Sequence, residues 1–305
     1  FANPWLAEQE DQARLDLAQL VAEGDRLAFS TDSYVIDPLF FPGGNIGKLA
    51  ICGTANDVAV SGAIPRYLSC GFILEEGLPM ETLKAVVTSM AETARAAGIA
   101  IVTGDTKVVQ RGAVDKLFIN TAGMGAIPAN IHWGAQTLTA GDVLLVSGTL
   151  GDHGATILNL REQLGLDGEL VSDCAVLTPL IQTLRDIPGV KALRDATRGG
   201  VNAVVHEFAA ACGCGIELSE AALPVKPAVR GVCELLGLDA LNFANEGKLV
   251  IAVERNAAEQ VLAALHSHPL GKDAALIGEV VERKGVRLAG LYGVKRTLDL
   301  PHAEP

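Results

Sequence analysis

Three aspartates set among small residues beside apolar runs carry the clearest chemical signal in this chain. They are Asp32 in Phe29-Ser30-Thr31-Asp32-Ser33, Asp57 in Asn56-Asp57-Val58-Ala59, and Asp105 in Thr103-Gly104-Asp105-Thr106-Lys107. Carboxylates at chain turns are hard oxygen ligands, suited to Mg2+ that carries a nucleotide's phosphates. Small neighbours let backbone N–H groups approach an anion closely. One such aspartate is ordinarily a turn residue or a helix cap; three in one half of one chain point to a metal–nucleotide site. Lys107, two residues beyond Asp105, can pair with phosphate or serve as a base when desolvated.

The second half carries further constellations. Gly148-Thr149-Leu150-Gly151-Asp152-His153-Gly154 joins a strand to a helix, but its glycine spacing is not a dinucleotide fingerprint and it lacks the Gly-Lys-Ser/Thr ending of a P-loop. A strand–helix turn accounts for it as well as a phosphate cradle does, and His153 by itself reads as a hydrogen-bonded structural histidine. Asp195-Ala196-Thr197-Arg198-Gly199-Gly200 is more telling. Gly199 and Gly200 free the backbone at a helix start, Thr197 offers a hydroxyl, and Arg198 can grip a phosphate with two N–H groups. Asp195 is either a metal ligand or the cap of the turn. Glu246, in Asn245-Glu246-Gly247 before the apolar run 249–253, is placed as a strand-mouth carboxylate that becomes a general base if a cleft raises its pKa.

Alternating helices and strands must position these groups. The spacing predicts an amphipathic helix over 5–23, a strand from Arg26 running toward Asp32, and a helix through 47–59 closed by Pro65. A strand at 66–74, a helix from Met80 to Ala97, and strands at 99–103 and 116–126 follow. Residues 128–135 lose periodicity and gain turn residues, as a linker does. Beyond it lie a strand at 142–148, helices near 155–164, 173–186, 201–211, 227–236 and 257–266, and strands near 215–219, 248–254 and 275–282. The expectation is an α+β chain with a mixed sheet in two domains, 1–134 and 135–305.

Composition bounds the alternatives. The 305 residues suffice for two domains, and 49% of them are hydrophobic, but the apolar runs are too short to span a membrane. A net charge of −12 with no basic stripe speaks against nucleic acid. The six cysteines show no zinc spacing and read as reduced core residues of a cytoplasmic protein.

In this order the motifs resemble the PurM-like ATP-binding superfamily, which includes aminoimidazole ribonucleotide synthetase, selenophosphate synthetase and thiamine-monophosphate kinase. The likeness is carried by Thr31-Asp32-Ser33, Asn56-Asp57-Val58-Ala59 with Gly62-Ala63-Ile64-Pro65, Gly104-Asp105-Thr106-Lys107-Val108, Gly151-Asp152-His153-Gly154, Arg194 to Gly200, and Asn245-Glu246-Gly247. They span almost the whole chain and are most similar to the superfamily's hydrogenase-maturation carbamoyl dehydratases. The resemblance implies a two-domain PurM-like fold whose N-terminal mixed sheet mediates a homodimer. It also implies ATP in a cleft between domains, with Asn56, Gly104, Thr106, Thr197, Arg198, Gly199 and Gly200 as nucleotide contacts. Asp32, Asp57 and Asp105 would hold Mg2+, and Lys107 and Glu246 would act as bases.

The implied reaction is ATP-dependent dehydration of a C-terminal cysteine thiocarboxamide to a thiocyanate, which supplies cyanide for nickel–iron hydrogenase. The implied partners are a carbamoyltransferase of the HypF type and an iron-carrying scaffold of the HypC–HypD type. The family's glycine-rich N-terminal segment and its Pro-Arg-x-Cys ending have no match here, so Phe1 and Pro305 are expected to interrupt a longer chain. A small-molecule phosphotransferase of the same superfamily is the runner-up, and a docking scaffold without catalysis the third reading.

Overall fold

The computed structural model of the chain describes residues 1–166, 168 and 170–300. The closing segment expected to approach the family's C-terminal tail therefore lies, beyond Leu300, outside the described residues. Two compact units form. One comprises Phe1–Ile131 together with Cys174–Thr178, and the other His132–Asp173 with the chain from Pro179 onward.

The single helix expected over 5–23 is two short ones, α1 (Pro4–Ala7) and α2 (Leu17–Glu23). Asn3 accepts a hydrogen bond from Leu6 N and Asp16 one from Ala18 N, so each helix has its own N-cap, and the polar stretch between them stays irregular. Four strands build the first unit's sheet: β1 (Arg26–Tyr34), β4 (Tyr67–Glu75), β5 (Ala100–Val109) and β6 (Leu117–Ile127). Their order is β1-β6-β4-β5, with β4 and β5 parallel and the other pairs antiparallel, so the sheet is mixed as expected. A small hairpin, β2 (Phe40–Phe41) with β3 (Gly44–Asn45), leads into α3 (Ile46–Ala59).

Asn45 caps α3 by accepting from the N–H groups of Gly47 and Lys48. The helix carries no polar stripe because it is buried nearly all round, from Ile46 to Ala59. It packs on the sheet on one side and on α4 (Met80–Ala96) on the other. Gly47 permits that approach: a Cβ there would lie 2.5 Å from the Val86 carbonyl oxygen. Helix α4 is amphipathic and buries Val86, Met90 and Ala94, four residues apart, each large apolar side chain contributing about 1.5–3 kcal/mol. Met90→Ala is the change that would open this seam.

The second unit holds a seven-stranded sheet of order β13-β12-β9-β11-β7-β10-β8. Its strands are β7 (Val143–Val146), β8 (Val190–Asp195), β9 (Gly215–Ser219), β10 (Leu249–Val253), β11 (Ala275–Val281), β12 (Gly285–Ala289) and β13 (Lys295–Thr297). Strands β7 and β10 are buried at every position, which is why they read as unbroken apolar runs. Around the sheet lie α5 (Asp152–Glu162), α7 (Gly200–Cys212), α8 (Pro227–Leu236) and α9 (Ala258–His266). The helix expected over 173–186 shrinks to α6 (Thr178–Gln182): Cys174–Leu177 has no regular secondary structure, and Cys174–Thr178 belongs to the first unit. All six cysteines are free, and burial pushes the Cys70 thiol up to about 12, so it stays protonated and inert.

Candidate functional site

None of the three aspartates sits on a turn. Asp32 is inside β1, Asp57 inside α3 and Asp105 inside β5. Register then decides which of them meet. Asp32 pairs across the sheet with Thr121, Cys70 and Gly104, whereas Asp105 pairs with Gly71, Asn120 and Ser33. Adjacent rows point to opposite faces. Thr121 and Cys70 are buried under α3, so Asp32 faces the helix side, and Asp105 faces the open side.

Asp32 shares its face with Ser30, whose hydroxyl donates to Asp57 Oδ2 at 2.8 Å. The helix side thus brings Ser30, Asp32 and Asp57 together. Asp32 Oδ1 accepts from Ser33 N at 2.8 Å, which leaves its second oxygen for a ligand. Mg2+ takes only one or two protein carboxylates and fills its octahedron with phosphate oxygens and water, so this pair fits a cation that arrives with a nucleotide. Among the described residues, no three or more His, Cys, Asp or Glu converge on a common metal position.

On the open side, Lys107 Nζ lies 3.9 Å from Asp105 Oδ2, and both side chains are 73% exposed. The chain alone does not bury this lysine. Its cross-strand neighbour there is the exposed Ile73. Thr106 and Val108, on either side of Lys107 in β5, are exposed but point to the opposite face. Gly104 has a packing reason to be glycine, since a Cβ would run into the Cys70 carbonyl across the strand pair.

Asn56 departs from expectation. It is 1% exposed, and its amide is engaged at both ends by backbone: Nδ2 donates to Ala175 O at 3.0 Å and Oδ1 accepts from Leu177 N at 2.8 Å. Its side chain clamps the Cys174–Thr178 segment rather than facing a ligand.

In the second unit, Asp195 ends β8 and is buried, and Gly199 and Gly200 follow with left-handed φ of 74° and 60°. Gly199 is the N-cap of α7. Gly200 needs the absence of a Cβ twice, for its φ and for the approach of the Leu241 carbonyl. Thr197 O accepts from Gly200 N, which closes the turn and leaves Arg198 exposed. A turn of this kind at a helix N-terminus can receive an anion.

Glu246 lies, half-buried, in the loop before β10. The residues around it are fixed one by one. Asn245 accepts from Gly151 N at 2.8 Å and donates to Ala196 O and Phe243 O. Asp173 accepts from Glu246 N at 3.1 Å and from Gly247 N at 3.2 Å. Lys248 Nζ stands 3.3 Å from the same carboxylate. Beside them, Asp152 accepts from Thr149 Oγ1 and pairs with Lys226 at 3.0 Å, and His153 Nδ1 bonds Ser172 Oγ at 2.8 Å. Burial, opposed by the Asp173 charge and aided by Arg161, lowers the His153 imidazole to about 4, so the ring is neutral and structural. Asp173, Ser30 and Lys248 were not foreseen; the only signal for Asp173 was a polar Ser-Asp pair inside an otherwise apolar stretch, 170–177.

Comparison with known proteins shows the family. The family described as AIR synthase related protein matches through its N-terminal domain over residues 9–127 and its C-terminal domain over 139–290. The carbamoyl dehydratase HypE of Rhodobacter capsulatus is 50% identical over 294 residues, covering 95% of this chain and 86% of the relative. A crystal structure of Escherichia coli HypE superposes with a TM-score of 0.98 at 98% identity, covering 100% of this chain and 95% of that one. A HypE in complex with ATP gives a TM-score of 0.94 at 46% identity, covering 99% and 91%. A HypE–HypF complex gives 0.88 at 46% identity, covering 99% and 96%. Thiamine monophosphate kinase from Aquifex aeolicus, at 20% identity and a TM-score of 0.65 over 88% and 89%, shares the fold alone.

Proposed function

The chain belongs to the AIR synthase related family and, within it, to the HypE carbamoyl dehydratases of hydrogenase maturation, and from that premise we propose that it dehydrates a terminal cysteine thiocarboxamide at the expense of ATP. The substrate is R–S–C(=O)–NH2. Its carbonyl oxygen attacks the γ-phosphorus of ATP while one N–H proton leaves, giving ADP and R–S–C(=NH)–OPO3. Loss of the second N–H proton then forms the third C–N bond as the C–O bond breaks, releasing phosphate and R–S–C≡N. Phosphorylation turns a poor leaving group into a good one, and the protein's task is to position the γ-phosphate and remove two protons.

Two groups, each built within its own unit, support this reading. Ser30, Asp32 and Asp57 form an acidic group on the helix side of β1 in the first unit. Glu246 is held in a fully bonded turn beside the Asp195–Gly200 anion turn in the second. In this reading Asp32 and Asp57 would hold Mg2+, which would neutralise phosphate charge; Asp105, expected as the third ligand, lies on the opposite face of the sheet and does not join them, because adjacent residue rows alternate faces. Gly104, Thr106, Thr197, Arg198, Gly199 and Gly200 contact the nucleotide. Asn56 acts behind them by holding the end of α3. Glu246 takes an N–H proton, with Lys107 the second base or a phosphate ligand.

Dimerisation follows from the first unit's open face. Leu27 and Phe29 are each more than half exposed on it, and Ile73, beside Lys107, is exposed as well; a second copy that covers Ile73 would also desolvate Lys107, which a lysine base requires. The carbamoyl donor is a HypF-type transferase, as a relative's crystallised complex suggests, and the acceptor an iron-carrying HypC–HypD-type scaffold. The setting is the cytoplasm, in keeping with six free cysteines; among the described residues no helix is long and apolar enough to cross a membrane.

The test is Glu246→Gln in the full-length product of the coding sequence, carbamoylated on its terminal cysteine. ATP affinity should stay within twofold while phosphate release from the carbamoylated form slows by on the order of 100-fold, to a residual but measurable rate. Normal phosphate release would remove Glu246 from the reaction.

A further inference from the structure

A carboxylate outside the expected site contacts the backbone of the residue expected to do the chemistry. Asp173 is 3% exposed, and its two oxygens each accept one backbone N–H, from Glu246 and from Gly247. Lys248, 11% exposed, supplies the countercharge from the next residue along. Burying two charges is a poor route to stability, because desolvation offsets much of their attraction and an apolar pair of the same size commonly serves packing as well. What an ionised carboxylate does better is accept several N–H groups at once in one geometry.

Here the geometry is that of Glu246. Gly247 gives this loop backbone freedom that the acceptor removes. From the other side, the Asn245 amide ties the preceding residue to Gly151 and Ala196, and Lys248 O accepts from Ala196 N. Residues 245 to 248 are therefore fixed at successive backbone positions, with the Glu246 side chain as the projecting group. The anchor itself is rigid: Ser172, next to Asp173, bonds the buried neutral ring of His153.

We propose that Asp173 is the positioning residue of the dehydration, holding the Glu246 carboxylate in line with the proton it removes. This rests on Glu246 acting as the base. Displacing a catalytic group by about 1 Å commonly costs on the order of 100-fold in rate, so loss of the anchor should slow the chemical step and leave ATP binding alone.

Asp173→Asn by itself strands the buried Lys248 charge and threatens folding, so the informative variant is D173N/K248M, which removes both charges and keeps the volume. Single-turnover loss of water from the carbamoylated full-length chain is followed at saturating ATP, in the wild-type and Glu246→Gln backgrounds. The expected result is a drop of at least roughly tenfold for D173N/K248M, with an unchanged melting temperature and a KM for ATP within about twofold. In the Glu246→Gln background the same pair of changes should cost less than about twofold more, since residues acting as a unit are non-additive. A rate for D173N/K248M within twofold of wild type overturns the inference, and so does an equal loss in both backgrounds, which is the mark of a merely structural residue. A fully active Glu246→Gln chain would instead overturn the base assignment on which the inference rests, so the two failures are distinguishable.

Discussion

Asn56→Ala separates a clamp from a nucleotide contact. The amide is buried, and its removal leaves the Ala175 carbonyl and the Leu177 N–H of the Cys174–Thr178 segment without partners. Each stranded buried group costs about 1–3 kcal/mol, so the pair comes to roughly 2–6 kcal/mol. A chain of this size loses about 2–4 °C of melting temperature per kcal/mol, which predicts a fall of roughly 4–24 °C. Asn56→Asp should lie in the same range, because its carboxylate keeps the Leu177 contact, sets like charge density against the Ala175 oxygen, and adds a buried charge. Thermal unfolding followed by circular dichroism gives the stability. Calorimetric titration with Mg2+ and ATP, well below the transition, gives the affinity, expected within about threefold of wild type. An unchanged melting temperature with lost ATP binding would refute the clamp and return Asn56 to the nucleotide.

Three further outcomes follow from the same structure. The Ser30→Ala change removes the hydroxyl that donates to Asp57 Oδ2 and should weaken Mg2+–ATP by roughly tenfold, as loss of a ligand's supporting hydrogen bond does; an unaltered titration would show that Ser30 does not orient it. Asp57→Ala should abolish Mg2+–ATP binding with the fold intact, and wild-type affinity would count against the acidic group. His153 gives a pH signature. Its folded pKa lies below the unfolded value, so the unfolded chain binds the extra proton, and stability present above about 6.5 is lost as pH falls toward 4, by up to about 3 kcal/mol. His153→Asn should flatten denaturant midpoints across that window, and an unchanged slope would assign the acid sensitivity elsewhere.

The motifs were legible in the sequence because they are local: Asn56-Asp57, Gly104-Asp105-Thr106 and Asn245-Glu246-Gly247 keep their residue types wherever the sheet places them. Strands with long apolar runs, such as β7 and β10, and the amphipathic α4 were readable for the same reason. What failed needed a partner from elsewhere in the chain. The faces of Asp32 and Asp105 are set by pairing with β6 and β4, and no window around either residue contains that register. Residues 174–177 have helical composition, but the Asn56 amide bonds the Ala175 carbonyl and the Leu177 N–H in a non-helical form. Strand β8 alternates too briefly after Gly189 to stand out, and β12 and β13 were missed where the last expected strand ended near 282. Asp173, inside the segment expected to begin a helix, acquires its meaning only from the loop 73 residues away that it holds.

The most direct test of the account is intact-protein mass spectrometry of the full-length product after incubation with carbamoyl phosphate and a HypF-type transferase, before and after ATP. The account predicts a carbamoyl adduct on a terminal cysteine that loses the mass of one water only when ATP and Mg2+ are present. A chain that never gains the adduct, or gains it and holds it unchanged through ATP turnover, would contradict thiocarboxamide dehydration.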